Sequence, residues 1–174
     1  VAEKKSPLLD LAIVQAPPER AAILTMFLVG SVEAATIFAV PLYIQIVQGR
    51  DAFQTAMATL PFMVAFFAAA ILIVRLFSRF TPRQIASVAI LLVAAGAFWL
   101  AWVVRNDWST APMVVGLVAT GLGQGALATL LLNVLVSASP KELAGDIGAL
   151  RAAANNLSAS VGTAVMGALL VGVL

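Results

Sequence analysis

Cysteine and histidine are both absent from this chain. Without cysteine there are no disulfides and no thiolate metal sites. Without histidine the commonest general base and metal ligand is gone as well. No metal and no cofactor are therefore expected. Charge is also scarce, at 10% of 174 residues, where soluble domains carry about 25%. So few charges cannot cover a water-facing surface. Against this, 62% of the residues are hydrophobic and the mean hydropathy is +1.05, so the solvent for most of the chain is lipid. The formal charge of +2 carries no nucleic-acid signal.

Apolar runs come in five lengths, each sufficient to cross a hydrocarbon core that needs about 20 helical residues. The fold class read from them is an all-α integral membrane protein. The spans cover about 21–47, 52–74, 84–104, 111–136 and 147–174, so residues 21–174 form a helical bundle. Residues 1–20 hold Lys4, Lys5, Pro7, Pro17 and Pro18 and read as a tether, with no short apolar segment followed by a small-residue cleavage site. The chain starts at Val1 and stops at Leu174 inside an apolar run, which reads as a piece of something larger.

Direction follows from arginine. The loop between the second and third spans, Arg75 to Arg83, carries Arg75, Arg79 and Arg83 and no acid. Short basic loops stay in the cytoplasm. With that loop inside, the tether and the Ser137–Arg151 region are inside too. Those three regions hold Lys4, Lys5, Arg20, Arg75, Arg79, Arg83, Lys141 and Arg151, against Arg50 and Arg105 in the outer turns. Eight against two puts the N-terminus in the cytoplasm of a multi-pass protein of the plasma (inner) membrane. Trp99, Trp102 and Trp108 cluster at the outer end of the third span, as an interfacial aromatic belt would.

Among polar residues within the spans, Glu33 stands out as the one acid deep in any of them. A mid-membrane carboxyl is costly and faces a cavity or the bundle interior. Its neutral, protonated form suits a proton-coupled carrier. The competing reading is a protonated acid bonded to a neighbouring helix. Gly30 and Ile37 share its helix face and leave room beside it. Arg151, Asn155, Ser158 and Gly162 are spaced i, i+4, i+7, i+11, one face of a helix, broadened by Asn156 and Ser160. Asn155 there is a candidate for lining a substrate cavity or for bonding between helices, while Arg151 can snorkel to the cytoplasmic surface. Gln124 and Asn133 fall on opposite faces of the fourth span. Gln124, among glycines, is the cavity-side candidate. Gly121 and Gly125, four apart, form a small-residue contact that lets helices approach. Gln45 and Tyr43 near the outer end are either substrate contacts or interface markers. Phe62, Phe66 and Phe67 read as packing or lipid-facing. Pro41 and Pro61 interrupt the hydrogen bonding of the first two spans.

Two stretches carry a resemblance: PLYIQIVQGRDAFQTAMATLPFM, Pro41 to Met63, and Gly121 to Leu170 with its glycine-rich span, Ser-Pro-Lys-Glu-Leu-Ala-Gly loop and Arg151 helix. Together they resemble the C-terminal half of a major facilitator superfamily transporter, in its fourteen-span drug:proton antiporter branch. The Arg75–Arg83 loop resembles the second-half copy of the family's cytoplasmic motif. Arg79 and Arg83 match its arginines, while Val74, Ser78 and Thr81 stand where glycine, aspartate and glycine would be.

The resemblance implies five helices of a partial C-terminal bundle, with an N-terminal half and a last helix as partners. It implies no enzyme, but proton-coupled efflux of hydrophobic or cationic small molecules by alternating access. On the residue reading above, and not from the family motif, Glu33 is the proton-coupling candidate and Gln124, Asn155 and Gln45 are the candidates for lining the substrate cavity. The alternative is a non-catalytic membrane scaffold or assembly subunit.

Overall fold

The computed structural model describes residues 17–104, 110–138 and 144–173. They form five helices: α1 Pro17–Ile46, α2 Ala52–Leu76, α3 Pro82–Val104, α4 Thr110–Ala138 and α5 Ala144–Val173. No strand occurs among the described residues. Four of the helices, over Ile23–Ile46, Ala52–Leu76, Pro82–Val103 and Ala111–Val134, are long and apolar enough to cross a membrane. The Lys4–Lys5 tether, Trp108 and Lys141 lie outside the described residues, as does the Arg151 side chain.

Local chemistry sets the helix ends. Gly49 has φ +63°, a left-handed value that favours glycine. It lets the chain close α1 with bonds from Val47 N to Tyr43 O (2.8 Å) and Arg50 N to Ile44 O (3.3 Å), satisfying carbonyls left over at the helix end. Two residues later Asp51 caps α2 by accepting from Gln54 N at 2.8 Å. At α3, Thr81 Oγ1 accepts from Gln84 N (3.4 Å) and Gln84 Oε1 accepts from Thr81 N (3.1 Å). That reciprocal capping box sits just before Pro82, which supplies a first-turn φ without needing a donor.

The described chain falls into two compact units. One joins α1 up to Ala35 with the chain from Leu131 onward; the other is Thr36–Leu130. The second unit contains the core: Val40, Ile44, Ala58, Phe62, Leu100, Met113 and Leu117. Its packing is inverted relative to a water-soluble protein. The buried face of α2 is mostly small (Thr55, Ala58, Ala65 and Ala69 beside Phe62 and Ile73), whereas Phe53, Val64, Phe67, Ile71 and Val74 are exposed. Lipid tails are as apolar as leucine, so large side chains gain nothing by hiding from them. Close van der Waals packing is what holds such helices together.

The most buried of the four spans is α4, and glycine makes that possible. A Cβ at Gly121 would lie 2.5 Å from the Phe62 carbonyl oxygen, and one at Gly125 would overlap the Phe66 carbonyl. The Gly121/Gly125 edge of α4 therefore rests directly on the α2 backbone. On another face, a Cβ at Gly123 would lie 2.6 Å from the Ala89 carbonyl oxygen of α3, and Thr120 fills the space beside Gly96. The phenylalanines separate: Phe62 is buried, Phe67 is exposed, and Phe66 lies partly buried between them. Its ring is 6.3 Å from Phe62 and 5.9 Å from Phe67.

Candidate functional site

Glu33 occupies the middle of the α1 span and is half-buried. Its carboxyl makes no hydrogen bond or ion pair with a described residue. One turn earlier, Gly30 meets α5: a Cβ there would collide with the Ser158 hydroxyl and come within 3.8 Å of Asn155 Oδ1. The space expected beside the acid is thus not open on the Gly30 side, because α5 has moved into it. The reason is again small residues. Gly162 of α5 sits against the Ser31 carbonyl so closely that a Cβ would overlap it. Ser31 turns its own hydroxyl to Phe27 O (2.8 Å), and Ser158 turns its hydroxyl to Asn155 O (2.8 Å). Neither hydroxyl therefore spoils the contact.

Of the α5 stripe, Ser158 and Gly162 are buried while Asn155 is exposed. Asn155 and Ser158 differ by about 60° around the helix, which separates a residue at the contact from one at its edge. Within this unit the structure brings Asn155 beside Gly30, one turn from Glu33 along α1. Asn156 and Ser160 are exposed, and Ser160 is occupied with Asn156 O at 2.9 Å.

The second unit holds the other two candidates separately. Gln124 is completely buried, and neither its Oε1 nor its Nε2 has a hydrogen-bond partner among the described residues. Gln45 is exposed near the C-terminal end of α1. A cavity of about 60 Å³ lies at the Pro41 interruption, lined by Ile37, Thr59, Phe62 and Leu117 among others. Pro41 has no N–H, so the Ile37 carbonyl at that cavity lacks its helical donor. Residue counting alone found Pro41 but not the void beside it, which also needs α2 and α4. Thr120, fully buried and not singled out from the sequence, bonds Gly116 O (2.8 Å) and Leu117 O (3.1 Å) of its own helix.

The basic loop is solvent-facing. Arg75, Arg79 and Arg83 are exposed, and their guanidinium groups pair with no described residue. A long helical bundle with small-residue contacts, interrupted helices and mid-span polar groups suits a carrier, and the family comparison decides the point. The family described as Major Facilitator Superfamily matches residues 3–173. The chain belongs to the major facilitator superfamily.

Two curated relatives of this facilitator chain are drug exporters by name. It is 28% identical over 162 residues to the multidrug efflux pump LfrA of Mycolicibacterium smegmatis, covering 93% of this chain and 32% of that protein. It is 30% identical over 164 residues to the tetracenomycin C resistance and export protein of Streptomyces glaucescens, covering 94% of this chain and 30% of that protein. The facilitator chain thus spans about a third of the length of these curated relatives.

Proposed function

We propose that this chain supplies most of the C-terminal bundle of a proton-coupled exporter of hydrophobic or cationic small molecules, in the drug:proton antiporter branch. It would work by alternating access together with an N-terminal half and a last helix, and it catalyses no covalent chemistry. Residues 1–20 would be a cytoplasmic tether and 21–174 the bundle, set in the plasma (inner) membrane with the N-terminus in the cytoplasm. The eight-to-two arginine and lysine bias supports that direction.

The observation that carries the reading is Glu33: a carboxyl at mid-span with no ion-pair partner among the described residues. An unpaired charge at that depth is costly, so the group is stable there when protonated. A site that must shed its proton to pair with a cation gives the exchange an antiporter needs. Asn155 beside Gly30 and the buried amide of Gln124 are the polar groups we assign to the substrate path, with Gln45 at its outer mouth. Arg79 and Arg83 would keep the cytoplasmic loop inside.

The test is Glu33→Gln in the complete transporter, in inverted vesicles given a hydrophobic cationic dye from outside. Dye uptake driven by an imposed pH gradient should fall at least tenfold while downhill dye equilibration persists. Unchanged gradient-driven uptake and proton release would remove Glu33 from the mechanism. Absence of any dye-dependent proton flux in the unaltered protein would favour a scaffold instead.

A further inference from the structure

We propose that the groove between α2, α3 and α4 beside the basic loop is a binding site for an anionic phospholipid, with one acyl chain in the groove and the phosphate on Arg75, Arg79 and Arg83. The groove lies wholly within the Thr36–Leu130 unit and has a volume of about 350 Å³. Leu72 and Leu76 of α2, Phe80 of the loop, Val88 and Leu92 of α3, and Leu122 of α4 form its walls.

Its chemistry is that of a chain site. Gln84 is the sole polar side chain in the lining, and its amide oxygen is committed to Thr81. The Gln84 amide nitrogen, in the first turn of α3 beside the loop, is the one polar donor left in the lining, and the rest of the groove offers a polar solute no partner. Leu72, Phe80 and Val88 are 52%, 49% and 59% exposed, so the walls are open to an occupant. From Gln84 to Leu92 the helix rises about 12 Å, close to the roughly 15 Å of one leaflet's hydrocarbon, half of a 30 Å core. The groove thus runs from headgroup level to near the midplane.

At its headgroup end stand three arginines within nine residues, with no acid among them. All three are exposed and unpaired with any described residue. The amino end of α3 begins at Pro82 in the same loop and adds a positive dipole end of its own. An apolar slot one leaflet deep, topped by guanidinium groups that no described acid neutralises, matches an anionic lipid and not a neutral one. Arginine also meets phosphate with two parallel hydrogen bonds.

The protein as isolated is reconstituted in phosphatidylcholine vesicles with trace phosphatidylglycerol or phosphatidylcholine, each spin-labelled near the acyl terminus. Symmetric vesicles make the readout independent of orientation. Electron paramagnetic resonance then gives the motionally restricted fraction of each probe. The expected result is a preference of about fivefold or more for phosphatidylglycerol, the value of one arginine at a membrane surface.

That preference should vanish in R75Q/R79Q/R83Q, survive in R75K/R79K/R83K, and fall in Val88→Trp, which fills the slot while leaving the arginines alone. Salt provides a check that needs no mutation: at 1 M the screening length is about 3 Å, and the preference should collapse. Equal association of the two probes with the unaltered protein, the outcome if another protein segment fills the groove, overturns the proposal. So does a preference that Val88→Trp leaves unchanged, since loop charge alone would then account for it.

Discussion

Replacing Gly121 or Gly125 by alanine should push α2 and α4 apart, and the two replacements should share a single cost. At Gly121 the new methyl would stand 2.5 Å from the Phe62 carbonyl oxygen and 3.1 Å from the Ala65 Cβ. Ordinary contact lies near 3.5 Å, so the helices must separate by about 1 Å. At Gly125 the clash is again with backbone, the Phe66 carbonyl, which has no rotamer to change. Overpacking costs about 1–3 kcal/mol, offset by about 1 kcal/mol of helix propensity, so each single change should destabilise by up to about 2 kcal/mol. One separation of the helices relieves both clashes. The double variant should therefore cost about 1 kcal/mol less than the sum of the singles, a coupling expected of residues that share a backbone shift. Gly167→Ala and Gly172→Ala are the controls, because a Cβ at either meets nothing within 4 Å. Stability is read from unfolding in mixed detergent micelles. The α2–α4 spacing is read by double electron–electron resonance, for which the cysteine-free chain needs no background removal. Gly121→Ala behaving like Gly167→Ala, with spacing unchanged, would refute the packing argument, as would strict additivity.

Three further outcomes are expected. Gln124→Leu should stabilise the protein by about 1–3 kcal/mol, because it removes two buried, unpaired polar atoms, and dye transport should fall at the same time; a stable variant with full transport would take Gln124 out of the substrate path. Trp99→Phe should cost about 1 kcal/mol through loss of the 2.7 Å bond from its indole Nε1 to Pro112 O, seen as a lower unfolding midpoint; the tilted ring contact with Trp102 at 5.3 Å should largely survive. Ser78→Cys, exposed in the basic loop, should react with an impermeant maleimide in inverted vesicles and not in intact cells; the reverse would invert the proposed topology.

Much of the architecture was legible because hydropathy and turn chemistry are local. Five apolar runs became five helices, and Gly49–Arg50–Asp51 closed one helix and capped the next. The Gly121/Gly125 pair announced a close approach, but spacing cannot say onto what, and the answer is the α2 backbone at Phe62 and Phe66. The same gap misread Gly30. A small residue beside Glu33 looked like room, yet a helix more than a hundred residues later had its own small residues, Ser158 and Gly162, ready to fill it. The three phenylalanines read as packing or lipid-facing, and the structure divides them between the two, because a 100° step per residue carries Phe62 into the core and leaves Phe67 exposed.

Residue choice on α4 separates packing from function. Thr120 and Gln124 are one turn apart and both fully buried. The threonine is reconciled with burial, since its short hydroxyl reaches the Gly116 and Leu117 carbonyls of its own helix. The glutamine is too long to do the same, and the backbone around it is already spent: Gly121, Gly123 and Gly125 lay α4 against carbonyls of α2 and α3, whose oxygens belong to their own helices. A leucine or methionine would fill a similar volume without leaving an amide unpaired, and apolar substitutions of matched size normally cost little. Packing therefore gives no reason for glutamine at position 124. The amide gains a partner only from outside the local packing, and that is the reason for proposing Gln124 on the substrate path.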